Sequence, residues 1–169
     1  MQHIWHYGSP LGSMTMSGEG NALTGLWFDG QKHYADILCD NRQEFLIPVF
    51  KDTIHWLDLY FNGADPGFTP ALKPAGSSFR RQVWDILLQI PFAHTMTYGQ
   101  IAARIAKEQG LTQMSAQAVG GAVAHNPISL IIPCHRVVGT HGSLTGYAGG
   151  LERKARLLQL EGALSPSRP

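Results

Sequence analysis

Apolar and polar residues alternate along the first part of the chain. The segment HIWHYGSPLGSMTMSGEGNALTGLWF, residues 3–28, consists of short alternating stretches interrupted by Gly, Ser and Asn. This pattern is typical of an antiparallel hairpin or meander. Farther on, FKDTIHWLDLYFNG, residues 50–63, has four apolar residues at helical spacing and ends in a glycine that can cap a helix. We therefore predict a small N-terminal α+β unit.

Three helices are predicted in close succession in the second half of the chain. Ser77 or Ser78 can cap the first helix. Thr97 and Gln100 form a capping box at the start of the second, and Ser115 can cap the third. Two short helices joined by a short turn are compatible with a helix-turn-helix.

The third helix, SAQAVGGAVAH, has almost no bulky side chains. In a helix interior, Gly120 and Gly121 each cost about 1 kcal/mol relative to alanine. The composition fits either close packing against another helix or a thin helix that lies deep in a nucleic-acid groove. Arg80 and Arg81 on the first helix could then contact phosphates, or they could lie on an ordinary solvated surface.

A stretch rich in proline and glycine divides the chain. ADPGFTPALKPAGS, residues 64–77, predicts a linker or a long surface connection. Residues 1–70 contain three Lys/Arg and eight Asp/Glu, whereas residues 71–169 contain ten and four. We place the domain boundary near residue 75. The basic second part indicates a polyanionic partner, unless the asymmetry is ordinary charge scatter.

Composition and cysteine usage narrow the class of protein. With 44% hydrophobic and 15% charged residues, the 169-residue chain is globular rather than disordered. No apolar run approaches the roughly 20 residues that span a bilayer, and the N-terminal MQHIW predicts no signal peptide. With two cysteines far apart in sequence, we expect a reducing cytoplasm and no disulfide framework. His3, His6 and Cys39 could be considered as zinc ligands, but the chain has no C-x₂-C or H-x₃-H pair, so we expect no metal site.

Cys134 lies in IIPCHRVVG, directly after an apolar run. SLIIP predicts a buried strand that Pro133 ends, which would place the thiol at the rim of a core. A free cysteine has a pKa of about 8.5, so its reaction at neutral pH requires a base or a positive neighbour. His135 and Arg136 are adjacent, but consecutive side chains often point apart, and free cysteines are often small core residues. The thiol is therefore either an inert core residue or a fixed nucleophile.

A glycine-rich loop and a helix follow the thiol. The glycines at 139, 142, 146, 149 and 150 allow the loop to fold tightly over a ligand. LERKARLLQLEG then predicts a helix with Leu151, Ala155 and Leu158 on one face.

The combination of IPCHRVVG and GYAGG resembles the active-site region of the O6-alkylguanine-DNA alkyltransferases. The likeness extends from Phe79 to Gly162 and includes FRRQVW, TYGQIA, AVGGAV and the final LEG in order. It implies the fold class α+β, with a small N-terminal α/β (ribonuclease-H-like) domain and linker at residues 1–75. The C-terminal domain, residues 76–169, would be a mostly helical helix-turn-helix (winged-helix-like) domain for DNA binding and alkyl transfer.

The resemblance implies direct DNA repair. The alkyl group of O6-alkylguanine, with O4-alkylthymine as a second candidate, would move irreversibly onto a cysteine of the protein, once per molecule. The partner would be double-stranded DNA whose alkylated guanine is flipped out of the duplex. No cofactor and no membrane are implied, and we expect a monomer.

The resemblance also implies residue roles. Cys134 would accept the alkyl group, His135 would act through a water molecule as the base, and Glu161 would orient the histidine. Asn126 would brace the turn between the recognition helix and the active site. Tyr98 would bind the target nucleotide and could protonate the leaving base.

A substrate pocket and a DNA-binding surface follow from the same likeness. The backbone of Cys134, Val137 and the YAGG loop would hold the guanine edge, and Tyr147 would form a wall of the pocket. The implied substrate-binding residues are Val137, Tyr147, Ala148 and Gly149. The implied DNA-binding residues are Gln117, Ala116, Ala118, Gly120, Arg80 and Arg136. Two positions depart from the family pattern: Gln117 replaces an arginine that fills the space left by the flipped base, and Ala148 replaces a serine found in some members.

Two other functions remain open on the sequence. A thiol hydrolase that uses Cys134 and His135 would need a carbonyl substrate and would turn over many times. A DNA-binding regulator without chemistry would tolerate Cys134→Ser with no loss of function.

Overall fold

The chain folds into two compact units. The computed structural model describes residues 1–33 and 38–164; the last five residues of the predicted second domain lie outside the described residues. The first unit contains residues 1–75 and 127–131, and the second contains residues 76–126 and the chain from 132 onward. Residues 127–131 therefore belong to the first unit, although they follow most of the second unit's helices in the sequence.

A four-stranded sheet lies at the centre of the first unit. Its strands are β1 (Gln2–Ser9), β2 (Gly12–Glu19), β3 (Ala22–Phe28) and β4 (Arg42–Glu44), in the order β3-β2-β1-β4. The first three form an antiparallel meander, as the alternation of the sequence predicts, and β4 is parallel to β1. The sequence does not predict β4, because its three exposed residues are too few to show a pattern.

Helix α1 (Pro48–Phe61) packs on this sheet through its apolar face. Proline suits the first turn, where a backbone N–H would have no partner within the helix. The buried side chains of helix and sheet that form the core include Met14, Met16, Leu26, Phe28, Phe50 and Leu57. Gly18 lies at a register shift in β2, and a Cβ there would be 3.0 Å from Phe50. A larger residue at this position would push α1 away from the sheet.

Two irregular segments cover the open edge of β3. Leu23 exchanges backbone hydrogen bonds with residues 71 and 73, which lie in the predicted linker. Leu26 does the same with residues 127 and 129. Unpaired strand edges invite association with other chains, so these short segments protect the sheet without extending it.

Three helices, α2 (Ser78–Leu87), α3 (Tyr98–Gln109) and α4 (Ala116–Ala124), form the body of the second unit. Each helix begins where the capping residues predict. The side chain of the residue before each helix accepts a hydrogen bond from the backbone N–H of the third helical residue. These bonds run from Arg80 to Ser77 (3.2 Å), from Gln100 to Thr97 (3.0 Å) and from Ala118 to Ser115 (3.1 Å). The capping box of α3 is complete.

The three helices pack as a helix-turn-helix with one additional helix. Trp84 Nε1 of α2 donates to the carbonyl oxygen of Ala122 in α4 at 2.9 Å. Two short parallel strands, β5 (Met96–Thr97) and β6 (Val137–Val138), complete the unit beside α3. The α+β fold class with a helix-turn-helix region, expected from the family resemblance, is confirmed.

Residues 129–133 do not form the predicted strand. Leu130 has φ = 69°, and the N–H of Ile131 bonds to the carbonyl oxygen of Ser129, so the chain turns here. A 3₁₀ turn, Cys134–Arg136, follows Pro133 directly. Every residue of the segment is buried. The apolar run therefore reflects burial rather than strand pairing, which a short pattern cannot distinguish.

The last helix, α5 (Leu151–Glu161), buries only part of the face that the sequence suggests, Leu151, Ala155 and Leu158. Leu151 is exposed, whereas Lys154, Leu157, Leu158 and Glu161 are buried. The helix starts after Gly150 and ends at Gly162, both with positive φ. Two charged residues on the buried face indicate that α5 contributes polar contacts to the interior. None of the helices within the described ranges is long and apolar enough to cross a membrane.

Candidate active site around Cys134

Cys134 is the first residue of the 3₁₀ turn, and only 5% of its surface is exposed. Burial raises the pKa of its thiol. The side chain of Asn126, the charge of Lys154 and the backbone N–H groups of Cys134 and His135 act in the opposite direction, because they favour the thiolate. The sulfur therefore lies in a buried position with several groups that can stabilise its negative charge.

His135 and Glu161 form a buried hydrogen-bonded pair. The distance between His135 Nε2 and Glu161 Oε2 is 2.5 Å, and neither side chain is exposed. An ionised carboxylate can only accept, so Nε2 carries the hydrogen and Nδ1 is the basic nitrogen. Burial lowers the pKa of His135, which keeps the imidazole neutral at pH 7. The pair fixes the tautomer that a general base requires.

Arg136 holds the other side of the same carboxylate. Its guanidinium donates to Glu161 from Nε at 2.8 Å and from Nη2 at 3.2 Å, and to the carbonyl oxygen of Ile90 from Nη1 at 2.8 Å. Burial alone would raise the pKa of Glu161, but its hydrogen bonds to His135 and to the Arg136 cation lower it to about 2. The interpretation of Arg136 as a DNA-binding residue is wrong for this structure, because its guanidinium is buried in this ion pair.

Asn126 connects the end of α4 to the turn before the cysteine. Its Nδ2 donates to the carbonyl oxygen of Ile132 at 2.8 Å, and its backbone N–H bonds to Val123. The side chain is buried and also faces Cys134. A change at this position would alter the path of the chain into the 3₁₀ turn.

Tyr98 and Lys154 converge on the loop between the second 3₁₀ turn, Thr140–Gly142, and α5. Tyr98 Oη donates to the carbonyl oxygen of Thr145 at 3.1 Å, and Lys154 Nζ donates to the same oxygen at 2.8 Å. Burial lowers the pKa of Lys154 to about 8, against an opposing effect of Cys134. The two side chains therefore position the glycine-rich loop beside the cysteine.

The predicted pocket residues lie on this loop and on the strand next to it. Tyr147 is partly exposed, but its hydroxyl oxygen is buried and has no hydrogen-bond partner among the described residues. Val137 is buried in β6, and Gly149 is buried at the end of the loop, where its carbonyl oxygen accepts from Arg153 at 3.1 Å. Ala148 is half-buried between Tyr147 and Gly149. Burial raises the pKa of the Tyr147 hydroxyl, and Cys134 acts in the same direction.

The exposed face of α4 carries Gln117 and otherwise only small residues. Ala116, Gln117 and Ala118 are exposed at its start. A Cβ on Gly121 would meet nothing within 4 Å, and one on Gly120 would only touch the ring of Tyr98 at 3.9 Å. Close helix packing therefore does not explain the two glycines. Arg80 on α2 is half-buried and Arg81 is exposed.

Lys154 is fully buried next to the cysteine, a position that the sequence does not predict. A lysine in LERKARLLQLEG suggests a solvated face. Counting back from Glu161 by helical spacing would have placed Lys154 on the same buried face, seven residues earlier.

Among the described residues, no three His, Cys, Asp or Glu side chains lie together as a metal site would require.

Comparison with known proteins identifies the family. The family described as "6-O-methylguanine DNA methyltransferase, ribonuclease-like domain" matches residues 5–74, and "6-O-methylguanine DNA methyltransferase, DNA binding domain" matches residues 78–163. The methylated-DNA–protein-cysteine methyltransferases of Mycobacterium bovis and Haemophilus influenzae are each 38% identical to this chain. Those alignments cover 99% and 92% of this chain and 96% and 84% of the two relatives.

A solved structure supports the same assignment at the level of the fold. The crystal structure of Mycobacterium tuberculosis OGT in complex with DNA is 38% identical to this chain and superposes with a TM-score of 0.81. The superposition covers 95% of this chain and 93% of that one. On these matches, the chain belongs to the 6-O-methylguanine DNA methyltransferase family.

Proposed function

We propose that this protein repairs DNA by transferring the alkyl group of O6-alkylguanine onto Sγ of Cys134. One observation carries the proposal: the thiol is directly followed by a neutral, buried imidazole whose Nε2–H is bound by a buried carboxylate. This arrangement supplies a nucleophile and a base of fixed tautomer in one place. Family membership supplies the substrate, and O4-alkylthymine is a second candidate.

The reaction is a single displacement at an sp³ carbon. Sγ forms a bond to the alkyl carbon while the bond between that carbon and O6 breaks. The thiol proton passes through a water molecule to His135 Nδ1, and the guanine takes a proton from the hydroxyl of Tyr98, which solvent replaces. The products are a thioether on Cys134 and unmodified guanine. No cofactor enters this balance.

Glu161 and Asn126 support the reaction without contacting the alkyl group. Glu161 orients His135 by accepting from its Nε2, and Asn126 holds the turn that presents Cys134. The guanine would lie against Tyr147, Ala148 and Gly149, with the backbone of Val137 at its edge. The unpartnered, buried hydroxyl of Tyr147 supports a polar occupant at this position.

Duplex DNA would bind along α4. The exposed Ala116, Gln117 and Ala118 make a thin surface that can enter a groove closely, and Gly120 lies one turn later. Arg80 on α2 would contact a phosphate. The target base must leave the stack, because its O6 is paired inside the duplex.

We expect Gln117→Arg to tighten binding to duplex DNA by about three- to tenfold at low salt. The added cation can contact a phosphate or stack in the space left by the flipped base. Binding is measured at several salt concentrations, and a phosphate contact would raise the slope of log K against log salt by about 0.9. Gln43→Arg, an exposed position in β4, adds the same charge away from α4 and should have little effect. Equal or weaker binding by Gln117→Arg would show that α4 does not lie against the DNA.

We expect exactly one alkyl group per protein molecule, however much substrate DNA is present. Thioethers are stable to water and thiols, so the cysteine is not regenerated. Intact-protein mass spectrometry after incubation with excess O6-methylguanine DNA should show one added methylene, and peptide mapping should place it on Cys134. Repair of several DNA molecules per protein would instead support a turnover enzyme such as the thiol hydrolase.

The two units would act as separate domains, with the main boundary in the sequence near residue 75 and the chemistry confined to the second. The protein would work as a monomer, because one site contains the nucleophile, the base and the carboxylate. A cytoplasmic location suits a reaction that requires a reduced thiol.

A further inference from the structure

Two side chains from different helices share one pair of acceptors in the loop before α5. Tyr98 Oη lies 3.1 Å from the carbonyl oxygen of Thr145 and 3.5 Å from that of Gly146. Lys154 Nζ donates to the same two oxygens at 2.8 and 3.0 Å. A carbonyl oxygen has two lone pairs and can accept from both donors. The loop is therefore held twice at the same point.

Lys154 occupies a position that is costly for an ammonium group. Its side chain has no exposed surface, and Nζ lies 6.0 Å from the centre of the Tyr98 ring. Burying a cation is unfavourable unless its hydrogen bonds are replaced. The two carbonyl oxygens provide that replacement, and a pKa of about 8 keeps most of the group protonated at neutral pH.

Tyr98 has one hydroxyl proton, which it can donate either to the loop carbonyls or to the substrate. In the structure the proton is directed at the loop carbonyls, and burial raises the pKa of the hydroxyl, so it stays protonated. In the proposed reaction the same proton goes to the leaving guanine. With Tyr98 as the sole side-chain donor, its departure would leave the carbonyls of Thr145 and Gly146 without a side-chain donor, and the loop would lose the contact that holds it in place.

We propose that Lys154 is a positioning residue that keeps the carbonyls of Thr145 and Gly146 hydrogen-bonded while Tyr98 turns its hydroxyl toward the substrate. An ammonium has three N–H donors, so it can hold both carbonyls by itself. The loop that bears Tyr147 then stays in place when Tyr98 leaves. This role rests on the proposed function, since it concerns the donor to the leaving base.

A double-mutant cycle tests this role. Single-turnover transfer at saturating O6-methylguanine DNA is measured for the wild type, Lys154→Met, Tyr98→Phe and the double variant. We expect Lys154→Met to slow transfer roughly 10- to 100-fold when Tyr98 is present. With phenylalanine at 98, no hydroxyl has to leave the carbonyls, so the same change should slow transfer less than about threefold. Equal losses in both backgrounds would overturn the proposal and leave Lys154 a structural residue only.

A second measurement avoids any change at Lys154. The ratio of the wild-type rate to the Tyr98→Phe rate is followed as the pH rises from about 7 to about 9.5. The ratio should fall as the pH passes about 8, because the neutral amine then has two N–H groups instead of three and donates weaker hydrogen bonds than the ammonium. Cys134 and His135 also face Lys154 and are present in both proteins. Tyr98 is present only in the wild type, but burial raises the pKa of its hydroxyl, so it stays largely protonated over this range. A constant ratio would overturn the proposal even if Lys154→Met failed to fold.

The controls separate this inference from the proposed function. Lys51→Met, an exposed position on α1, makes the same substitution on the surface and should transfer at the wild-type rate. If wild-type protein forms no alkylcysteine, the proposed function fails. If it forms one but the cycle is additive, only the role of Lys154 fails.

Discussion

We expect Cys134→Ser to abolish alkyl transfer and to leave binding to duplex DNA unchanged. A serine hydroxyl has nearly the same size as the thiol, but its pKa is far higher, and His135 is a weak base in this buried position. The serine therefore stays protonated, and the hydrogen bonds that stabilise a thiolate at this site find no anion there. Transfer is measured by intact-protein mass spectrometry and DNA binding by titration with a duplex that contains O6-methylguanine.

The second cysteine of the chain supplies the matched control. Cys39 is exposed and belongs to the first unit, whereas the His135–Glu161 pair belongs to the second. Cys39→Ser should therefore keep full transfer. A methylene that still appears on Cys134→Ser protein would place the nucleophile elsewhere. Unchanged biological function of Cys134→Ser in cells would support the regulator without chemistry.

Local sequence rules predicted the helix starts well. Ser77, Thr97 and Ser115 each cap the helix that follows, because a cap depends only on a side chain and a backbone three residues apart. These starts predict two short helices, α3 and α4, joined by a short connection. The helix-turn-helix was therefore accessible from the sequence before any tertiary contact was known.

The interior around the cysteine was less predictable. SLIIP has the composition of a strand, but Leu130 adopts a left-handed conformation, and composition does not encode that turn. The charges of Arg136 and Lys154 predict solvent-exposed side chains. Both are buried instead, and their hydrogen-bond partners lie 25 and 9 residues away in the sequence. Only tertiary contacts bring such partners together. The role of Glu161 came from the family resemblance, and its second partner, Arg136, emerged only in the structure.

Glu161→Gln should destabilise the protein by about 3–5 kcal/mol at neutral pH and slow transfer. The substitution keeps the shape of the side chain but leaves the Arg136 cation buried without an anion, which is the costly way to break a buried ion pair. It also removes the charge that fixes the tautomer of His135. The free energy of unfolding is measured by urea denaturation, and the rate in single turnovers. Glu152→Gln, an exposed position on the same helix, is the control.

The pH dependence of the unfolding free energy tests whether Glu161 is the carboxylate that stabilises the protein. The pKa of Glu161 is lowered from 4.5 to about 2 in the folded protein, so the stability it contributes is present above pH 4.5 and is lost as the pH falls toward 2. A shift of this size corresponds to about 3 kcal/mol. The difference in unfolding free energy between wild type and Glu161→Gln should therefore shrink over this range. A difference that stays constant down to pH 2 would mean that Glu161 is not the anion that holds Arg136 and His135 in place.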